Sequence, residues 1–132
     1  MGAFMVVILN LSAETAWEMF EPYHDQFVPF RDASYGDCNY ECTIYHVLKG
    51  LEIAVKLNWY DFRKFDTKEY EYYEKVENGD LNWIIPGKFI AFMGPVDMKI
   101  NKRGNYPEDY LDIFKHFGVS HVIRLNEAKY DR

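Results

Sequence analysis

The groups able to do chemistry in this chain of 132 residues are two thiols, four imidazoles and one stretch dense in carboxylates and phenols. A thiolate that attacks phosphorus needs a lowered pKa in a cradle of backbone N–H groups, with an arginine to grip the phosphate. In sequence such a site reads His-Cys, five residues, then Arg, and neither Cys38 nor Cys42 has an arginine within that reach. The two cysteines stand four residues apart, a poor spacing for a disulfide if both sit on one helix. They are expected to be small buried residues on a helix or its lead-in. His24, His46, His116 and His121 are scattered and show no metal-ligand spacing, so neither a metal nor any other cofactor is expected. Ser34 with distant His and Asp residues carries no triad signal, because such triads are recognised by geometry. No catalytic residue is assigned to the chain.

The stretch with most chemical content is Glu69-Tyr70-Glu71-Tyr72-Tyr73-Glu74. On a helix Glu71 and Glu74 share a face, and Tyr70 and Tyr73 occupy the neighbouring one. Two readings stay open. The carboxylates form a solvated face, with Glu71 paired to Lys75, or they form an acidic wall that grips a basic group of a peptide.

The elements that would position this stretch can be read on both sides of it. Asp66 is an N-cap, Glu69 completes a capping box, and Phe65 and Tyr70 are placed for a hydrophobic staple. The helix is expected over 66–77, ending at Asn78-Gly79-Asp80. Upstream, the run from Gly2 to Leu9 is apolar enough to be buried on nearly all sides, with helix or strand left open. Ser12 caps a short helix from Ala13 to Phe20 that puts Trp17 and Phe20 on one face. Pro22 and Pro29 bound a loop. From Asn39 the positions Tyr40, Ile44, Val47, Leu48, Leu51 and Val55 follow a helical template. Gly50 within it suggests close packing or a break.

Downstream, Leu81–Ile85 and Phe89–Met93 are β-type runs split by Pro86-Gly87. Residues 97–106 read as a polar loop. A helix starts at Pro107 and stops at Gly118, and Val119–Leu125 reads as a strand. This alternation indicates an α/β fold with parallel pairing. The strand at 119–125 is followed by seven residues, too few to complete a parallel sheet, and the chain begins on its most apolar segment; both ends look cut.

Composition narrows the class. Apolar residues make up 48% and aromatics 18%, which opposes disorder and supplies a core without a metal or disulfide staple. A formal net charge of −6 opposes nucleic-acid binding, which needs a basic surface against the phosphates. The N-terminal apolar run lacks a basic lead-in and is shorter than the ~20 residues a membrane span requires, so no membrane association is expected. A reducing compartment, cytoplasmic or nuclear, is the expectation.

The stretch Val76 to Pro95, Val-Glu-Asn-Gly-Asp-Leu-Asn-Trp-Ile-Ile-Pro-Gly-Lys-Phe-Ile-Ala-Phe-Met-Gly-Pro, resembles the mitotic-exit dual-specificity phosphatases of the cell-division-cycle-fourteen type. Three further blocks fall in the family's order around it: Pro29-Phe30-Arg31-Asp32-Ala33-Ser34-Tyr35-Gly36, Glu71-Tyr72-Tyr73-Glu74, and Val122-Ile123-Arg124-Leu125-Asn126. The resemblance implies incomplete portions of two tandem phosphatase-like domains. Residues 1–60 would be the C-terminal part of a non-catalytic N-terminal domain, residues 61–80 a linker with its helix at 66–77, and residues 81–132 the first strands and helix of the catalytic-type domain. It also implies that Glu71 and Glu74 line a substrate groove favouring phosphoserine-proline followed by Lys or Arg. The family's nucleophilic Cys, phosphate-gripping Arg and general-acid Asp would lie beyond this chain. The implied partner is a phosphopeptide or protein substrate of the full-length parent. A second reading is a catalytically inactive structural or binding module, whose incomplete sheets other protein subunits cover, in a cytoskeletal or ciliary assembly.

Overall fold

In a computed structural model, which describes residues 1–32, 35–97, 105–125, 127 and 130, the apolar run after Met1 is a helix, α1 (Gly2–Val7). Asn10, in the left-handed region at φ 56°, turns the chain out of it. Only Val6 of α1 is fully buried, while Phe4, Ile8 and Leu9 are exposed. The expectation of burial on nearly all sides is thereby corrected: the helices packed on α1 cover one face, against α2 (Ala13–Glu18) and α3 (Ile44–Lys56). Gly2 sits under Leu48, where an added Cβ would lie 3.0 Å from Cδ2, so that α1 and α3 approach closely.

Helix α2 starts where Ser12 Oγ accepts the Thr15 N–H at 3.0 Å. Ala13 and Ala16 face inward with no exposure and join Val6 and Leu48 as the core, flanked by Met5, Trp17, Ile44 and Leu51. The helix ends at Glu18, short of Phe20, and the segment read as a loop opens with a 3-10 turn, Glu21–Gln26. That turn returns His24 onto Trp17: the rings stack at 3.9 Å, and His24 Nε2–H donates to the Trp17 carbonyl at 3.0 Å.

The helix expected from Asn39 begins only at Ile44. Thr43, extended at φ −88° and ψ 162°, is its N-cap: Thr43 Oγ1 accepts the His46 N–H, and His46 Nδ1 accepts the Thr43 N–H. Residues ahead of the cap are extended, and β2 (Glu41–Cys42) pairs antiparallel with β1 (Phe30–Arg31). Gly50 neither packs closely nor breaks the helix, since a Cβ there would meet nothing within 4 Å. Glu52 ties α3 to α2: its carboxylate accepts the Ala13 N–H at 3.1 Å and an ammonium hydrogen of Lys56 at 2.6 Å. These contacts hold its carboxyl below the ordinary value of 4.5, the Lys56 bond first and the Ala13 bond second.

The chain divides into two compact units, Met1–Phe65 and Asp66–Arg132. The second contains α4 (Thr67–Tyr73), a 3-10 turn (Val76–Asn78), the strands β3 (Leu81–Ile85) and β4 (Phe89–Phe92), a 3-10 turn (Pro107–Tyr110) and α5 (Leu111–Phe117). β3 and β4 form an antiparallel hairpin, with Leu81 opposite Phe92 and Trp83 opposite Ile90, and a bulge between Trp83 and Ile85. Gly118 ends α5 in the left-handed conformation, as its position suggests.

Two expectations for this half need correction. The pairing is antiparallel, because Pro86-Gly87 makes a tight reversal with Gly87 at φ 71°. The segment 119–125 makes no ladder with another described strand and is not a strand here. It has the side-chain pattern of a strand, but a strand requires a hydrogen-bonded neighbour. The result is a mixed α/β chain of short helices and two small antiparallel sheets among the described residues.

Candidate functional site

The acidic stretch lies on α4. Asp66 Oδ1 accepts the N–H groups of Lys68 at 2.9 Å and Glu69 at 3.0 Å, satisfying two of the orphan donors at the helix start. The helix stops at Tyr73 with Glu74 as its C-cap, four residues before the expected end at 77. Lys75 is extended at φ −74° and ψ 139° and leads into the 3-10 turn. This kink removes the i, i+4 relation of Glu71 to Lys75, and the expected ion pair is not formed. The ion pairs among the described residues are Glu52–Lys56, Asp61–Lys64 and Asp112–Lys115.

Glu71, within α4, and Glu74, which keeps helical backbone angles at the cap, are both exposed. Their three-residue spacing on helical backbone sets them on neighbouring parts of one face. Tyr70 and Tyr72 are exposed beside them, at 41% and 55%. Tyr73 alone of the helix turns inward. Its ring meets Phe117 edge-on at 5.0 Å, and Phe117 in turn packs on Trp83 at 5.2 Å. Burial, then Tyr72 and then Glu69, push the Tyr73 phenol above its ordinary value of 10.0. One aromatic anchor therefore fixes α4 while its carboxylates stay in solvent. Tyr70 and Tyr73 were grouped by helical spacing, and the structure separates them into an exposed and an anchoring ring.

The turn after α4 is held by residues that the periodicity did not single out. Asn78 Nδ2 donates to the Tyr72 carbonyl at 2.8 Å, and Asn105 Nδ2 donates to the Val76 carbonyl at 2.9 Å. Asn105 Nδ2 also reaches the Tyr110 hydroxyl oxygen at 3.2 Å. That hydroxyl donates toward the Gly79 carbonyl at 2.8 Å and the Met93 carbonyl at 3.1 Å. Tyr110 is 1% exposed, and its burial raises the phenol above 10.0, an effect that the Asn105 bond opposes and that Asp80 and Asp109 reinforce. It thus pins the start of α5 to the open end of the hairpin, beside both strands. The only sequence signal for it was an aromatic residue in the first turns after Pro107.

The thiols lie ahead of α3, in its lead-in, and are less buried than expected. Cys38 is exposed and Cys42 is half-buried on β2; both are free and neither is on a helix, because the Thr43 cap starts α3 after them. The Cys38 thiol donates to the Tyr40 carbonyl at 3.1 Å. Ser34 lies outside the described residues. The four imidazoles remain apart: His24 stacks on Trp17, His46 caps α3, His116 lies against Phe117, and His121 Nδ1 is 2.9 Å from Ser120 Oγ. Among the described residues no group of three His, Cys, Asp or Glu side chains could hold a metal ion, and no helix is long and apolar enough to cross a membrane.

An open groove of about 880 Å³ runs between the hairpin and residues 118–125, lined by Trp83, Phe89, Phe92, Phe117, Val122 and Arg124 among others. Val122, Ile123 and Leu125 are exposed at its edge, at 50%, 70% and 94%. The Arg124 guanidinium lies 4.2 Å over the Tyr130 ring, and its buried Nε–H has no acceptor among the described residues.

Residues 1–54 match the family model described as dual specificity protein phosphatase, N-terminal half. The chain is 42% identical to the human dual specificity protein phosphatase CDC14A over 98% of its own length and 23% of that protein. It is 42% identical to the tyrosine-protein phosphatase cdc-14 of Caenorhabditis elegans over 99% of the chain and 19% of the relative. The tyrosine-protein phosphatase CDC14 homolog of Schizosaccharomyces pombe is 34% identical over 100% of the chain and 26% of the relative. The chain therefore spans less than a third of the length of these curated relatives.

Proposed function

We propose, from the premise that this chain belongs to the CDC14-type dual-specificity phosphatase family, that it is the non-catalytic segment of a protein phosphatase that presents an acidic wall to phosphoprotein substrates. Residues 1–60 are the end of an N-terminal phosphatase-like domain, residues 61–80 the linker carrying α4, and residues 81–132 the opening elements of the catalytic-type domain. The family match of residues 1–54 to an N-terminal half supports the first of these assignments. The open apolar groove and the unpaired segment 119–125 support the last, because a larger sheet would use both. The nucleophilic Cys, the phosphate-binding Arg and the general-acid Asp come from other parts of the parent. No observation favours the reading as an inactive cytoskeletal or ciliary module.

The observation that carries the proposal is the pair Glu71 and Glu74, exposed and outside every ion pair of the described residues, on a helix fixed from its other side by Tyr73. A carboxylate pair held in this way attracts a basic side chain, and the family resemblance implies that this is a Lys or Arg following the phosphoserine-proline of a substrate. The test is Glu71→Gln with Glu74→Gln in a full-length phosphatase containing this segment. Gln keeps side-chain size and helix propensity, so the change isolates charge. Exposed contacts contribute about 0.2–1 kcal/mol each, and a partly enclosed groove raises each to about 1.5–3 kcal/mol. The expected loss is roughly tenfold in kcat/KM on phosphoserine-proline peptides with a downstream basic residue, and little change on a small aryl phosphate. Equal losses on both substrates would make the helix a structural strut, and no loss on either would return the carboxylates to a solvated face.

A further inference from the structure

We draw no further inference here: the strongest candidate, the open apolar groove between the β3–β4 hairpin and residues 118–125 with Arg124 in its wall, carries none, because nothing in the structure shows what covers it.

Discussion

Replacing Tyr110 by Phe should loosen the second unit while leaving the first untouched. The ring keeps its contacts with Phe92 at 5.0 Å and Phe114 at 5.4 Å, so the change removes one hydroxyl and little else. That hydroxyl is the donor for the Gly79 carbonyl and a longer second contact for the Met93 carbonyl. Asn105 loses one acceptor but retains the Val76 carbonyl. With the site 1% exposed, water replaces none of this without further opening. One buried carbonyl left without a donor costs about 1–3 kcal/mol. A loss of about 1.4 kcal/mol is tenfold in an opening equilibrium, so amide exchange across 76–93 should accelerate about 5- to 150-fold. Hydrogen exchange read by mass spectrometry measures it, with peptides from residues 1–65 as the internal reference. The wild-type phenol, raised above 10.0, also gives a pH signature. A raised acid is stabilising while protonated, so its contribution is full below pH 10 and is lost as pH rises through the folded value. The Phe variant should lack that alkaline loss. Less than twofold acceleration at 76–93, or equal acceleration in residues 1–65, would refute the assignment of Tyr110 as the pin.

Three further outcomes are expected. Glu52→Gln should flatten the acid limb of the first unit's stability: the lowered carboxyl stabilises above pH 4.5 and loses that contribution as pH falls through its folded value, which urea titrations between pH 3 and 7 would show. His46→Ala should cost about 0.5–2 kcal/mol by opening one side of the α3 capping box, while His46→Gln, which can still accept the Thr43 N–H, should cost less; circular dichroism during urea unfolding separates them. Tyr73→Ala should release α4 and speed amide exchange over 67–74, whereas Tyr72→Ala, at the exposed position, should leave it nearly unchanged.

The local signals in the sequence were those in which a residue acts on its immediate neighbours. Ser12 and Asp66 as helix starts, and Gly118 as a stop, depend on backbone groups two to four residues away, so their chemistry is legible in one dimension. The two runs 81–85 and 89–93, the second ending one residue earlier as β4, and the turn between them were legible for the same reason. So was the family, because long strings of residues match in order. Helical periodicity misplaced the start of α3 because it scores apolar spacing and not the cap, and Thr43 with His46 overrode it. It also extended α4 to residue 77, where the Asn78 and Asn105 side chains stabilise a kink instead.

What depended on tertiary structure was everything that joins distant residues. Glu52 finding Ala13 across 39 positions and Tyr110 finding Gly79 across 31 have no local signature, since neither residue type nor spacing encodes a partner that far away. For the candidate site, sequence placed Glu71 and Glu74 on one face, but only packing decided that Tyr73 anchors the helix and Lys75 leaves it. The segment 119–125 shows the same division: alternation supplies the side chains of a strand, whereas a strand is made by a neighbour's backbone, which no property of the segment itself can provide.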